Sequence, residues 1–104
     1  MIGVTIATAL ISLARAKPIK QNIAMTGEIS LRGKVMKIGG VKEKVLAAKR
    51  DNIFELIFPA ENEEDILDLK DEIKQDVRFH FVSSYEDVFR IVFQEEAPQS
   101  RVGM

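Results

Sequence analysis

The first hydrophobic segment of the chain runs from Ile2 to Ala14 and contains no charged side chain. It is too short for a membrane span, which needs roughly 20 apolar residues. Its mixture of Ala and Thr with Ile and Leu predicts a helix buried between other elements, and Pro18 is expected to end it. A chain that opens on such a helix implies that further polypeptide covers its other faces.

After Pro18 the hydrophobic pattern changes to short extended segments rich in Ile, Val and Met. Residues 23–31 and 34–38, joined at Arg32-Gly33, predict a β-hairpin. Gly39-Gly40 then interrupts the strand, and residues 41–50 contain helix formers without Gly or Pro, which predicts a helix.

The next segment, residues 54–58, is nearly all apolar and predicts a short strand buried on both faces, closed by Pro59. Asn62 precedes three acidic residues, an arrangement typical of a helix N-cap followed by acidic groups in the first turn. A helix to about Ile73 is expected to follow.

The last predicted elements are a strand over residues 77–82 and a helix over residues 85–94. Ser84, with Asp87 three residues later, resembles a capping box that opens this helix. Residues 95–104 contain charge, Pro98 and little apolar content, so a disordered tail is expected there.

These elements predict one α/β or α+β domain in which helices pack on a small mixed sheet. The 104 residues, 46% hydrophobic and 30% charged, are typical of a globular protein. A formal charge of -1 gives no bulk electrostatic reason to bind nucleic acid or an anionic membrane. The absence of cysteine excludes disulfides and thiol nucleophiles.

Lys44 is the first candidate for chemistry. On a helical wheel it shares an apolar stripe with Val41, Val45 and Ala48. An ammonium held against apolar surface loses hydration, which favours the neutral amine that a general base requires. The alternative is an ordinary lysine whose stem lies on apolar surface while its charge reaches solvent. The wheel alone leaves both interpretations open.

Two motifs around Lys44 extend this picture. Gly-Glu-x-x-Leu-x-Gly-x-Val runs from Gly27 to Val35, and Gly-Gly-x-Lys-Glu-Lys runs from Gly39 to Lys44, with Ala47-Ala48 after it. Together they resemble the signature around the catalytic lysine of Lon-type serine-lysine proteases. The first motif also occurs in Lon-like domains of other ATPases that do not cut peptides, whereas the second is characteristic of the proteases. The resemblance extends from Gly3 to about Gln94.

The resemblance implies a Lon protease domain-like half-domain, of the ribosomal protein S5 domain 2-like fold. Residues 1–94 would be the C-terminal part of the proteolytic domain, with residues 95–104 as the tail. Lys44 would be the general base, and the Thr26 hydroxyl would orient it. The family's nucleophilic serine lies in a Gly-Pro-Ser-Ala-Gly segment, and aligning its last glycine with Gly3 puts Met1 at the serine position.

The implied function is a fragment of an ATP-dependent endopeptidase that degrades misfolded and regulatory proteins. Because a thioether offers no ionisable nucleophile, this fragment is expected to be inactive alone. The alternative is a non-catalytic Lon-like interaction module. A third interpretation, phosphate binding at Gly39-Gly40, is disfavoured because a tight turn explains these glycines better.

The resemblance also implies partners and a location. No cofactor is expected in this chain, which has no phosphate-loop motif; ATP and Mg belong to a separate ATPase module. Polypeptide substrates and a homo-oligomer are expected, and no metal site or Ser-His-Asp triad, because the only histidine, His80, is interpreted as an outward-facing strand residue. The cytoplasm is the expected location, with the mitochondrial matrix as the alternative.

Overall fold

Six strands form two three-stranded sheets, where the sequence predicted a single sheet. The computed structural model describes residues 2–94, so the predicted disordered tail lies outside the described residues, as does Met1. The elements, in chain order, are β1 (Ile2–Gly3), α1 (Val4–Arg15), β2 (Ala24–Met25), β3 (Glu28–Ile29), β4 (Val35–Met36), α2 (Val41–Arg50), β5 (Glu55–Pro59), a 3-10 turn (Ala60–Asn62), α3 (Glu63–Leu67), α4 (Asp71–Lys74), β6 (Arg78–Val82) and α5 (Tyr85–Val92).

The antiparallel sheet contains β1, β3 and β4, and the parallel sheet contains β2, β5 and β6. The predicted hairpin is therefore only partly correct. β3 pairs with β4 as expected, but Ala24 and Met25 pair in parallel with Leu56 and Ile57 of β5.

Gly27 is the point at which the chain passes from one sheet to the other. Its φ is +122°, a conformation that side chains oppose, and a Cβ there would lie 2.9 Å from Cγ1 of Val35. The chain can therefore turn out of the parallel sheet and approach β4 closely only with glycine at this position.

β5 separates two hydrophobic cores, because alternate side chains of a strand point to opposite faces. Ile57 packs with Val4, Val88 and Val92 of the helices α1 and α5. Leu56 and Phe58 pack instead with the buried face of α2. The side chains of Leu56, Ile57 and Phe58 are at most 1% exposed, which confirms the predicted strand buried on both faces.

Helix α1 is buried on only one side among the described residues. It begins at Val4 and ends at Arg15, where Ala16 adopts a left-handed conformation, so the helix stops before Pro18. Val4 and Thr8 are buried, but Ile6, Leu10 and Leu13 are 59%, 56% and 79% exposed. One apolar flank of the helix is therefore bare in this part of the chain, and its cover by further polypeptide stays a prediction.

Two of the predicted helices are shorter in the structure than the sequence indicated. The helix predicted from Asn62 to Ile73 is divided into α3 and α4, and Lys74 Nζ donates to the Leu67 carbonyl at the end of α3. The capping box of Ser84 and Asp87 is confirmed, although α5 ends at Val92, two residues earlier than predicted. No helix among residues 2–94 is both long and apolar enough to cross a membrane.

Candidate functional site

Helix α2 carries Lys44 at the edge of its buried stripe rather than within it. Val41, Val45 and Ala48 are buried as the wheel predicted, and they anchor the helix on β5. Lys44 itself is exposed in the described part of the chain, which agrees with the interpretation in which its charge reaches solvent. Its side chain lines a neighbouring cleft.

The cleft beside Lys44 has a volume of about 500 Å³. Its floor follows one row across the antiparallel sheet, where Gly3 pairs with Glu28 and Glu28 pairs with Met36. The complete lining is Gly3, Gly27, Glu28, Met36, Lys37, Ile38, Gly39 and Lys44. The cleft therefore places the residue just before α1 opposite the lysine of α2.

Charge in the cleft comes from two lysines and one carboxylate, namely Lys37, Lys44 and Glu28. Within residues 2–94, no hydrogen bond or ion pair fixes the ammonium of Lys44. Gly40, in the left-handed conformation with φ 65°, lets the chain turn into α2. A Cβ at Gly40 would lie 3.9 Å from Nζ of Lys44. The lysine head is thus close to the start of its own helix and can be engaged from the open side of the cleft.

Thr26 is not joined to Lys44 by any hydrogen bond in the described part of the chain. Its hydroxyl donates to the Ile57 carbonyl at 3.0 Å, and its backbone N–H donates to the same oxygen at 3.0 Å. Thr26 therefore attaches the end of β2 to β5, and its role as an orienter of Lys44 stays a prediction.

A second polar cluster, which the sequence did not predict, lies on the face of the parallel sheet that is opposite to α2. Glu55 Oε2 accepts hydrogen bonds from Lys20 Nζ at 2.9 Å and from His80 Nε2 at 2.6 Å. Glu55 shares a strand face with Ile57, which packs against α1 and α5, so the cluster lies away from α2. His80 was predicted to face outward, but its side chain is only 21% exposed. No pattern signals this contact, because it joins residues that are distant in sequence.

The Glu55 carboxylate should make stability depend on acid pH. Burial raises the pKa of Glu55, but hydrogen bonds from His80 and Lys20, with their charges, outweigh burial and hold the pKa below its ordinary value of 4.5. A carboxylate whose pKa is lower in the folded state stabilises the fold above the unfolded value, and this contribution is lost as pH falls through the folded value.

We therefore expect Glu55→Gln to lower the free energy of unfolding at neutral pH, and the difference from the parent chain to shrink as pH falls below about 4.5. Urea unfolding between about pH 3 and pH 7 measures both quantities. Glu64→Gln removes the same formal charge from an exposed position on α3 and controls for net charge. A difference that stays constant across this range would contradict the assignment.

Comparison with known proteins identifies the family to which this chain belongs. A family model described as the Lon protease (S16) C-terminal proteolytic domain matches residues 1–95. The chain belongs to this family. The resemblance predicted from the motifs around Lys44 is confirmed, and so is the mixed α/β fold class with helices on small sheets.

Curated Lon relatives match most of this chain. Proteins named "Lon protease homolog, mitochondrial" are 54% identical over 91 residues in Rattus norvegicus and 47% identical over 98 residues in Homo sapiens. The matches cover 88% and 94% of this chain, and 10% of each relative. A third, from Drosophila melanogaster, is 50% identical over 93 residues, which are 89% of this chain and 9% of the relative. The chain thus spans about a tenth of the length of the relatives it matches.

No group of three or more His, Asp or Glu side chains within residues 2–94 could hold a metal ion.

Proposed function

We propose that this chain is the lysine-bearing part of a Lon-type serine endopeptidase domain, with Lys44 as the general base. One observation carries the proposal: Gly3 and Lys44 line the same cleft. In the motif that resembles this region, the nucleophilic serine lies two residues before the glycine that matches Gly3. A serine-bearing segment that enters at Gly3 would arrive beside the lysine.

The proposed reaction uses the amine of Lys44 to take the proton of the serine hydroxyl, after which the serine oxygen attacks the peptide carbonyl. Backbone N–H groups would stabilise the oxyanion that forms. A general base must be a neutral amine, which loss of hydration favours, and Lys44 is exposed in this chain. The upstream half of the domain would therefore have two roles: to bring the serine and to exclude water from the cleft.

By itself the chain is proposed to be inactive, because Met1 occupies the position that aligns with the serine. The bare apolar flank of α1, formed by Ile6, Leu10 and Leu13, supports a role in contacting further polypeptide. In the complete protein we propose polypeptide substrates, a homo-oligomer, and ATP and Mg bound by a separate ATPase module. The relatives named mitochondrial favour the mitochondrial matrix over the cytoplasm as the location.

A chimera tests this function. The upstream half of a Lon proteolytic domain, ending in Gly-Pro-Ser, is joined directly to Ile2 of this chain. We expect this serine chimera to cleave a fluorogenic peptide and to react with a serine-directed probe. The matched control ends in Gly-Pro-Met and thus keeps Met1. It should fold equally well and show neither signal, because only the nucleophile differs.

If the serine chimera folds as a single compact species but does not cleave peptides, the protease proposal fails. The chain would then be a non-catalytic Lon-like interaction module.

A further inference from the structure

Asn62 is one of two fully buried polar side chains among the described residues, the other being Thr8. The sequence predicted that Asn62 caps a helix, and it does precede α3. Its side chain makes no capping hydrogen bond, however. It turns instead toward Ile38, in the segment between β4 and α2. The predicted N-cap position of Asn62 is therefore confirmed, but its amide is used across the fold and not to cap the helix.

The amide of Asn62 pairs with both backbone groups of Ile38. Oδ1 accepts from the Ile38 N–H at 3.0 Å, and Nδ2 donates to the Ile38 carbonyl at 2.9 Å. A neighbouring β-strand would offer the same donor and acceptor, and β4 has already ended at Met36. The side chain thus extends the pairing of the backbone beyond the end of the strand.

Asp65 fixes which way the amide faces. Nδ2 of Asn62 also donates to Asp65 Oδ2 at 2.8 Å. A carboxylate accepts hydrogen bonds only, so the NH2 group must face Asp65 and the oxygen is left for the Ile38 N–H. The arrangement therefore has one satisfied orientation.

Residues 37–39, which Asn62 holds, form a wall of the Lys44 cleft. Within residues 2–94, the hydrogen bonds to the backbone of this segment come from two side chains: Asn62 at Ile38, and the exposed Glu61, whose Oε1 accepts from the Lys37 N–H at 3.2 Å. Gly39 and Gly40 follow, and the first helical bond of α2 runs from the Lys44 N–H to the Gly40 carbonyl at 3.0 Å. Gly39 and Gly40 give the backbone between Ile38 and the buried Val41 more conformational freedom than other residues would.

We propose that Asn62 is a positioning residue for catalysis: by clamping Ile38 it fixes both the wall of the cleft and the start of the helix that presents Lys44. The proposal rests on the proposed function insofar as Lys44 is the base. Asn62 touches neither Lys44 nor the reacting atoms, and it acts through the backbone from Ile38 to Gly40.

The first measurement does not depend on activity. In this chain, Asn62→Ala should speed the hydrogen exchange of the Ile38 and Lys44 amides by about tenfold or more relative to the amides of β5, because their clamp is lost. Thr8→Val is the matched control. It removes the other buried polar group, whose hydroxyl lies 2.8 Å from the Tyr85 hydroxyl in the opposite core. It should leave this ratio unchanged.

The second measurement uses the serine chimera. Asn62→Ala should lower kcat by about tenfold or more and change KM less, because a displaced Lys44 is no longer aligned with the serine while the peptide can still bind. Thr8→Val should change kcat less than about twofold.

A pair of variants at Asp65 keeps the test decisive if Asn62→Ala does not fold. Asp65→Ala removes the acceptor that orients the amide and should show both effects at smaller size. Asp65→Asn keeps a carbonyl acceptor and should restore the parent behaviour.

Unchanged exchange at Ile38 would overturn the clamp, and unchanged exchange at Lys44 would overturn the positioning of α2. If the parent serine chimera does not cleave peptides, the proposed function fails, and the exchange result still decides whether Asn62 positions this segment.

Discussion

Replacing Lys44 with alanine in the serine chimera is expected to lower kcat by about 10²–10⁴-fold, the range typical of a general base. The loss follows because no other titratable side chain in the cleft suits the task. Lys37 and Glu28 also line the cleft. Lys37, however, belongs to the segment held by Glu61 and Asn62, and Glu28 lies in strand β3 of the antiparallel sheet. KM should change less than kcat, because the peptide does not need the amine in order to bind.

Steady-state kinetics on the chimera measure this effect, with Lys42→Ala as the control. Lys42 is exposed on the same helix and does not line the Lys44 cleft, so its loss changes charge and helix propensity equally. Lys44→Arg should be as inactive as Lys44→Ala, because a guanidinium stays protonated. Peptide cleavage that survives Lys44→Ala would refute the assignment of the base.

Replacing Phe58 with alanine should lower the free energy of unfolding by about 3–5 kcal/mol, the range for a buried phenylalanine. The side chain is 0% exposed and lies in the core beneath α2, with its ring centroid 6.1 Å from that of Phe79. Its removal leaves a cavity that α2 cannot fill without moving. This loss is a large part of the 5–15 kcal/mol by which a typical domain is stable.

Urea unfolding followed by circular dichroism measures the loss, and Phe54→Ala provides the same change of side chain just before β5. Phe54 is 42% exposed, so its truncation should cost roughly 1 kcal/mol or less. Equal losses for the two variants would show that the core under α2 is not packed as described.

Local sequence signals predicted the elements that depend on local interactions. The helix over residues 41–50 has the predicted bounds, since glycines precede it and an apolar stripe anchors it. The capping box of Ser84 and Asp87 is likewise satisfied within four residues of chain. The strand over residues 54–58 was predicted because Leu56, Ile57 and Phe58 are buried on both of its faces, which leaves a short apolar run.

Tertiary pairing explains the errors. The composition of residues 23–31 indicates extended backbone but does not say which strand becomes its partner, and β2 pairs with β5, about thirty residues later. The short helix α4 is stabilised by a lysine from α2, because Lys49 Nζ donates to the carbonyls of Glu72 and Ile73 near the end of α4. Helix propensity alone contains neither contact.

For the candidate site, too, the local motif was informative and the tertiary contacts were not. The motif from Gly39 to Lys44 singled out the lysine, although the wheel overstated its burial. The floor of the cleft at Glu28 and Met36 depends on strand register, which the sequence did not define. Asn62 was assigned to a cap because an asparagine before acidic residues is typical of helix starts.

The strand β5 also gives this chain a pair of adjacent reporters. Leu56 packs under the helix of Lys44, and its neighbour Ile57 packs under the helix that begins at Val4. Methyl signals from these two residues would therefore respond separately to events on the two sides of the parallel sheet. When upstream polypeptide binds, the order in which the two signals change would distinguish docking on α1 from rearrangement around the lysine.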